Sequence, residues 1–488
     1  MNIVFQESLR TEFPTVYGPI EYRRFRDQLK EINRLLVDSK VEEWILSETI
    51  EQDDNRCNEL ARLRTALRTN ILRTLLNKSC RVLSCDIAGN QLYQWFICVD
   101  KFGDGIITPS KSEIDRFEKI WKDCEIESLI HKLGLSLVSP EKSMELYFSD
   151  EAFNFKNLYA DTTCLKSNIH APVDWLLLRD AARTITKSIL LIRDRGLFHR
   201  MPDPNLLMRN VNKLTIEMTQ ASKPRDGKKK RKKVFRKLKE ALKKILNHAV
   251  RYVKLLKERW VETVWSKKEA DVVIDRLLNI IIQIDDAIQI AHSRIISEKL
   301  VKNDEKIVSL YENDVHVLNR GKFGGAIEYG NNFYIAEQID GIIVDWDFMK
   351  GKPKSDVKIL KESVKITKAR YGLEGFSTDR GFTSNGNDNF LEKEEVYNAT
   401  CPRNIEKLSI KMKDEKFRKM QSRRAQTEAR IGIYKGKFIG EKILRKGSDN
   451  RETKALWAIF THNVWVVSRK SLENQEEIKK KESNKKVA

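Results

Sequence analysis

The sequence predicts an α/β protein: a small mixed-sheet core with helices on its faces, an all-α N-terminal domain before it and a large helical insertion within it. Three stretches carry that expectation. Gly375-Phe-Ser-Thr-Asp379-Arg-Gly381-Phe382 reads as a short strand that ends on a carboxylate and turns at a glycine. Phe333-Tyr-Ile-Ala-Glu-Gln-Ile339 and Ile342-Ile-Val-Asp-Trp-Asp-Phe348 flank Asp340-Gly341, the strongest short hairpin signal. Between residues 173 and 300, apolar residues recur at the three- and four-residue spacing of amphipathic helices.

Residues 1–150 read as the helical N-terminal domain. Leu29, Ile32, Leu35 and Leu36, then Leu60, Leu63, Leu67, Ile71 and Leu75, lie on single helix faces. Shorter helices follow, broken at Gly89-Asn90 and Gly103-Asp-Gly105. Ser110 and Glu113 then have the spacing of a capping box. Clustered short helices with interspersed Arg and Lys suit a helix-turn-helix-like DNA reader; a plain helical bundle is the alternative.

The core is expected over 151–170 and 309–470, with a first strand at 156–166 that carries Asp161. The insertion, 171–308, is expected to be an antiparallel bundle or coiled coil. Within it Lys223-Pro-Arg-Asp-Gly-Lys228-Lys229-Lys230-Arg231-Lys-Lys233 reads as a loop between helices, either solvated or touching phosphates. After the hairpin the expected order is a helix at 355–371 closed by Gly372, the Asp379 strand, a strand near 397–401, the Glu428 helix and a buried closing helix at 456–467. The Lys/Glu-rich tail, 471–488, is expected to be disordered.

Charge narrows the partners. The 488 residues carry 91 Lys and Arg against 70 Asp and Glu, a net charge of +21, which points to a polyanion such as nucleic acid. No run of about 18 apolar residues and no signal-peptide pattern occurs, so a membrane partner is not expected and the location expected is cytoplasmic. Seven scattered Cys without a Cys-x-x-Cys pair suggest neither a disulfide framework nor a zinc site.

Asp is a poor strand residue, so Asp161 and Asp379, each placed in a strand-like run, ask for a local or a chemical reason. With Glu428 they form a set of carboxylates suited to Mg²⁺, and two divalent ions can activate a nucleophile, stabilise a leaving oxygen and neutralise charge at phosphorus. Arg424, Glu428 and Lys435 are spaced by four and seven, one helix face, suited to a metal site beside a DNA backbone; an exposed ion-pair ladder is the alternative. Asp345 and Asp347, rivals for the metal, are expected instead as solvent-facing edge carboxylates, and Asp304, Asp314 and Asp356 as turn or cap residues.

Asp161-Thr-Thr, Thr378-Asp379-Arg380-Gly-Phe and Arg424-x-x-x-Glu428-x-x-x-x-x-x-Lys435 resemble, in order, the three signature regions of DDE-type transposases of bacterial insertion sequences, in the group marked by a Tyr-Arg-Glu-Lys pattern. Gln421 stands where that pattern has Tyr. Ser79-Cys-Arg-Val-Leu-Ser through Gln94-Trp-Phe, Asn319-Arg-Gly-Lys-Phe-Gly through Ile342-Ile-Val-Asp, and Asn463-Val-Trp-Val resemble other parts of these proteins. The resemblance implies a ribonuclease-H-like core in which Asp161, Asp379 and Glu428 bind two Mg²⁺ (or Mn²⁺). It implies nicking of the element's ends to free 3′-hydroxyls, which then join target DNA. The expected partners are terminal inverted repeats and target DNA, held by a homodimer in a bacterial, nucleoid-associated setting. Arg424, Lys435, Arg380, Lys228, Lys229, Lys230 and Arg231 are the expected DNA contacts. In related enzymes a β-rich insertion commonly lies between the second Asp and the Glu; here the long insertion follows Asp161 and is helical. A DNA-binding derivative without catalysis and a helical scaffold are the other readings.

Overall fold

The computed structural model describes all residues except 1–11, 50–55, 100, 103–104, 171, 222–225, 320–326, 352 and 488. The chain forms two compact units: one built from Met1–Leu165, Asn332–Met349 and Pro353–Ala488, the other from Lys166–Asn331 with 350–352.

The first unit begins with helices α1 (Ile20–Asp38), α2 (Val41–Thr49), α3 (Arg56–Leu76), α4 (Cys80–Gly89) and α5 (Gln91–Phe96). Asn90 ends α4 and caps α5 by accepting the Leu92 and Tyr93 amides. Two two-residue strands, β1 (Lys101–Phe102) and β2 (Gly105–Ile106), pair antiparallel, a small departure from the all-α expectation; the break at 103–104 lies outside the described residues. Helices α6 (Lys111–Phe117), α7 (Asp123–Leu137) and α8 (Pro140–Tyr147) follow, and α6 opens on a complete Ser110/Glu113 capping box. Strand β3 (Asn157–Lys166) then carries Asp161.

The second unit holds α9 (Asp174–Asp194), α10 (Pro204–Gln220), α11 (Gly227–Arg259) and α12 (Lys267–Ile295) around their own core, including Leu178, Ile185, Phe235, Leu242, Leu277 and Ile284. Asp203 and Pro204 start α10, and a Ser266/Glu269 capping box starts α12. This unit is larger than the expected 171–308, because it also takes in β4 (His316–Asn319) and the first residues of β5 (Ile327–Glu337), paired antiparallel. The basic stretch is not a loop. From Gly227 onward it is the first turns of α11, since Lys and Arg are good helix formers and Val234, Phe235 and Leu238 give that helix an apolar face to bury. The Arg-Gly-Lys-Phe-Gly segment at 320–324 lies outside the described residues.

The chain then completes the first unit with β6 (Ile343–Phe348), α13 (Asp356–Tyr371), β7 (Gly375–Ser377), α14 (Asn385–Lys393), β8 (Tyr397–Asn398), α15 (Ile405–Lys411), α16 (Glu415–Ile433) and α17 (Ser448–Val487). Gly341, at φ +98°, turns the β5–β6 hairpin. Gly372, at φ +67°, closes α13 with its amide donating to the Lys368 carbonyl. The strand order in this unit is β6-β5-β3-β7-β8, antiparallel on the hairpin side and parallel from β3 to β8.

Residues 1–150 are not a separate domain. One hydrophobic core runs from Leu29, Leu67 and Phe96 through Leu129 to Phe376 and Trp457, because α17 packs its buried Leu456–Val467 face against α1, α3 and α7. Nor is the tail disordered over its described residues: α17 continues through Val487, with Ser471 buried and bonded to Glu31. Among the described residues, no helix is long and apolar enough to cross a membrane.

Candidate active site

The sheet register sets the first relationship. Parallel β3 and β7 pair Asn157 with Gly375, Leu158 with Phe376 and Tyr159 with Ser377. The pairing ends there, two residues before Asp161 on one strand and two before Asp379 on the other, and the charge of Asp379 acts on Asp161. Asp379 Oδ1 accepts the Gly381 amide at 2.8 Å, which holds the carboxylate at the start of the turn that follows. A Cβ on Gly381 would lie 2.8 Å from Asp356 Oδ2 and 3.0 Å from Asp379 Oδ1, so the glycine of the Asp-Arg-Gly-Phe motif is a close-approach residue.

Helix α16 brings the third carboxylate. Phe417, Met420, Arg423, Thr427 and Ile431 are its buried residues. Arg423 anchors it to the hairpin, donating to the Ile339 and Gln338 carbonyls at 2.8 Å each and to Glu337 Oε1 at 3.0 Å, with its guanidinium over the Tyr159 ring. Gln421 donates through Nε2 to Thr378 O at 3.1 Å, Ser377 Oγ at 3.3 Å and the Ala399 carbonyl. It thereby ties the ends of β7 and β8 beside Asp379. Neither role was visible in the sequence, where helical spacing flags Arg423 only as an inward-facing cation.

Arg424 does not pair with Glu428, as an i,i+4 ladder would have it. It reaches Asp161 Oδ2 at 3.7 Å, with the two side chains 17% and 16% exposed, and its buried Nε and Nη1 make no hydrogen bond. Glu428 is exposed. After Ile433 the helix widens into a π-helical segment, Tyr434–Ile439, and there Lys435 Nζ donates to Thr163 Oγ1 at 3.4 Å, on the same strand as Asp161. Arg380 is exposed beside Asp379.

Burial, then the like charge of Asp379, push the Asp161 carboxyl up to about 6; the Thr162 amide and Arg424 oppose that rise, and Glu428 adds to it. An oxygen-only donor set under mutual repulsion is the chemistry that suits a hard divalent cation. The donors therefore fit such an ion in kind. The cage is not closed, however: among the described residues, no three His, Cys, Asp or Glu side chains converge closely enough to hold a metal.

The remaining expected residues fall elsewhere. Lys228, Lys229, Lys230 and Arg231 lie in the second unit on α11, where Lys228 pairs with Glu298 at 3.2 Å and Lys229 and Lys230 are exposed. With Lys233, Arg236, Lys237, Lys243 and Lys244 they make a cationic ridge along that helix. Asp345 is not a solvent-facing edge carboxylate. Helices α7 and α13 cover its strand, and burial pushes its carboxyl up to about 6 against the pull of a Ser363 hydrogen bond. Asp347 pairs with Lys354 at 3.0 Å.

Comparison with known protein families, with curated proteins and with solved structures finds no match to this chain.

Proposed function

We propose that the protein is a DDE-type transposase with a ribonuclease-H-like core, cleaving and joining DNA at the ends of an insertion sequence. What supports this reading is that parallel β3 and β7 run side by side just before Asp161 and Asp379, whose charges act on each other, with Arg424 and the charge of Glu428 added from α16. The mixed, hairpin-bearing sheet supports it, as does the net charge of +21.

In this mechanism Asp161, Asp379 and Glu428 would hold Mg²⁺ or Mn²⁺, and such an ion would activate the nucleophile and neutralise charge at phosphorus. Arg424 and Lys435 position the scissile strand through its phosphate oxygens. Gln421 and Gly381 fix where Asp379 points. Water attacks phosphorus and the P–O3′ bond breaks, freeing a 3′-hydroxyl. That hydroxyl then attacks a phosphodiester of target DNA, forming one P–O bond as another breaks. The cationic ridge of α11 contacts duplex backbone, and two copies hold two ends.

The experiment is strand transfer in Mg²⁺ with duplexes carrying the inverted repeats that bound the gene. Asp379→Ala is expected to abolish joining while end binding persists. Equal joining by that variant would remove Asp379 from the site. The second reading, a DNA-binding derivative without catalysis, is favoured by the open third ligand; it predicts end binding by the native protein with no joining at all.

A further inference from the structure

Away from these carboxylates, the first unit holds a cavity of about 840 Å³ walled by the end of α3, the start of α4, α6, the 439–445 segment and α17. Gly440, at φ +91°, lets the 439–445 segment close over it: a Cβ there would lie 2.9 Å from Asn77 Nδ2.

The charges around the cavity do not balance. Arg73 is taken up by Glu118 at 3.0 Å, and Arg445 by Asp115 at 2.7 Å and by Glu118. Lys454, Arg81, Lys111 and Lys442 also line it, and among the described residues none of the four has an ion-pair partner. Lys454 is the unusual one. It comes from α17, is only 7% exposed, and makes no hydrogen bond among the described residues. Burying an ammonium without a partner is costly, and Lys is rarely buried unless paired. Burial and then the Arg73 cation drive its amine down to about 7, against the pull of Glu118. The start of α4 lies in the same wall, where Ser79 caps by accepting the Val82 amide and the first-turn amides add the positive end of a helix.

We propose that this cavity is a binding site for a phosphate group, with Lys454 at its floor and Arg81, Lys111 and Lys442 at its rim. It is separate from the three carboxylates and stands whether or not the chain joins DNA. Its ligand is either a small phosphorylated molecule or a phosphodiester of a nucleic-acid strand, and the two can be told apart.

Cys80 lines the cavity, whereas Cys85 and Cys124 are exposed and serve as internal references. The test is the alkylation rate of each thiol by N-ethylmaleimide in the full chain, read by peptide mass, with millimolar pyrophosphate, with a short DNA duplex, or with sodium chloride of matched ionic strength. Pyrophosphate is expected to slow Cys80 labelling several-fold and leave Cys85 and Cys124 unchanged. Lys454→Met is expected to abolish that protection, and so is Arg81→Gln with Lys442→Gln, a pair of exposed substitutions that leaves the fold intact. Protection by pyrophosphate alone assigns a small phosphorylated ligand; protection by the duplex as well assigns a nucleic-acid backbone. An unchanged Cys80 rate in folded native protein, equal protection by sodium chloride, or full protection in both variants overturns the proposal.

Discussion

The guanidinium of Arg424 stands 3.7 Å from the carboxylate of Asp161, on a strand distant in sequence, and not against Glu428 one turn along its own helix. This choice of partner ties α16 electrostatically to the central strand. It also leaves Glu428 free of the one cation that i,i+4 spacing would have given it. An arginine offset against one member of a carboxylate cluster lowers the repulsion within it, without removing it.

The burial of Asp161, with the repulsion of Asp379 added to it, has a pH signature. The Asp161 carboxyl lies near 6 in the folded chain against 3.8 for an unperturbed aspartate, so protonation favours the fold. The favourable contribution is full below pH 3.8 and is lost as pH rises through about 6. Asp161→Asn is expected to raise stability above neutral pH by about 2–3 kcal/mol and to change little in acid, read by chemical unfolding across pH. Mg²⁺ should raise the Tm of the native chain above neutral pH and do much less for the variant. An equal rise in both would place the cation elsewhere.

Gln421 offers a sharper test of how Asp379 is held. Its amide serves Thr378 O, Ser377 Oγ and the Ala399 carbonyl, so Gln421→Ala leaves acceptors unsatisfied at an expected cost of about 1–3 kcal/mol. Gln421→Glu sets a carboxylate against two carbonyls and should cost more. In strand transfer both are expected to fall further than in end binding. If the Glu variant equals the native chain in both assays, the amide is not what orients the strand ends.

The α11 ridge can be measured through salt. Replacing Lys229, Lys230 and Lys233 with Gln removes three exposed cations. If each meets a phosphate, the slope of log affinity against log salt should fall by roughly 2–3. An unchanged slope would leave the ridge as a solvated face.

Removal of 471–488 separates a helix from a loose tail. Ser471 and Gln475 both donate to buried Glu31, and Asn474 Nδ2 donates to the Tyr147 carbonyl at 2.7 Å. Truncation after Lys470 is therefore expected to cost about 1–3 kcal/mol, seen as a lower Tm. A disordered tail would leave Tm unmoved.

Features set by a few neighbouring residues were legible in the chain. The Asp340-Gly341 turn, the Ser110/Glu113 cap, the Gly372 stop and the strand around Asp161 each rest on local backbone preferences. What depended on distant packing was not legible. Asp345 alternates like an edge residue, yet α7 and α13 cover it. The Lys/Glu-rich end of α17 has the composition of a solvated tail, but Ser471, Asn474 and Gln475 fall on the side that meets α1 and α8. Arg424 and Arg423 are adjacent and chemically alike, and only the position of α16 on the sheet sends one to Asp161 and the other to Glu337.

Helix α17 covers helices that leave the ribosome long before it does. During synthesis the parts of α1, α3 and α7 that α17 covers stay open while the whole second unit is made, and that unit has a core of its own. A product that stops short of Ser448 therefore displays a greasy helical surface to chaperones and proteases.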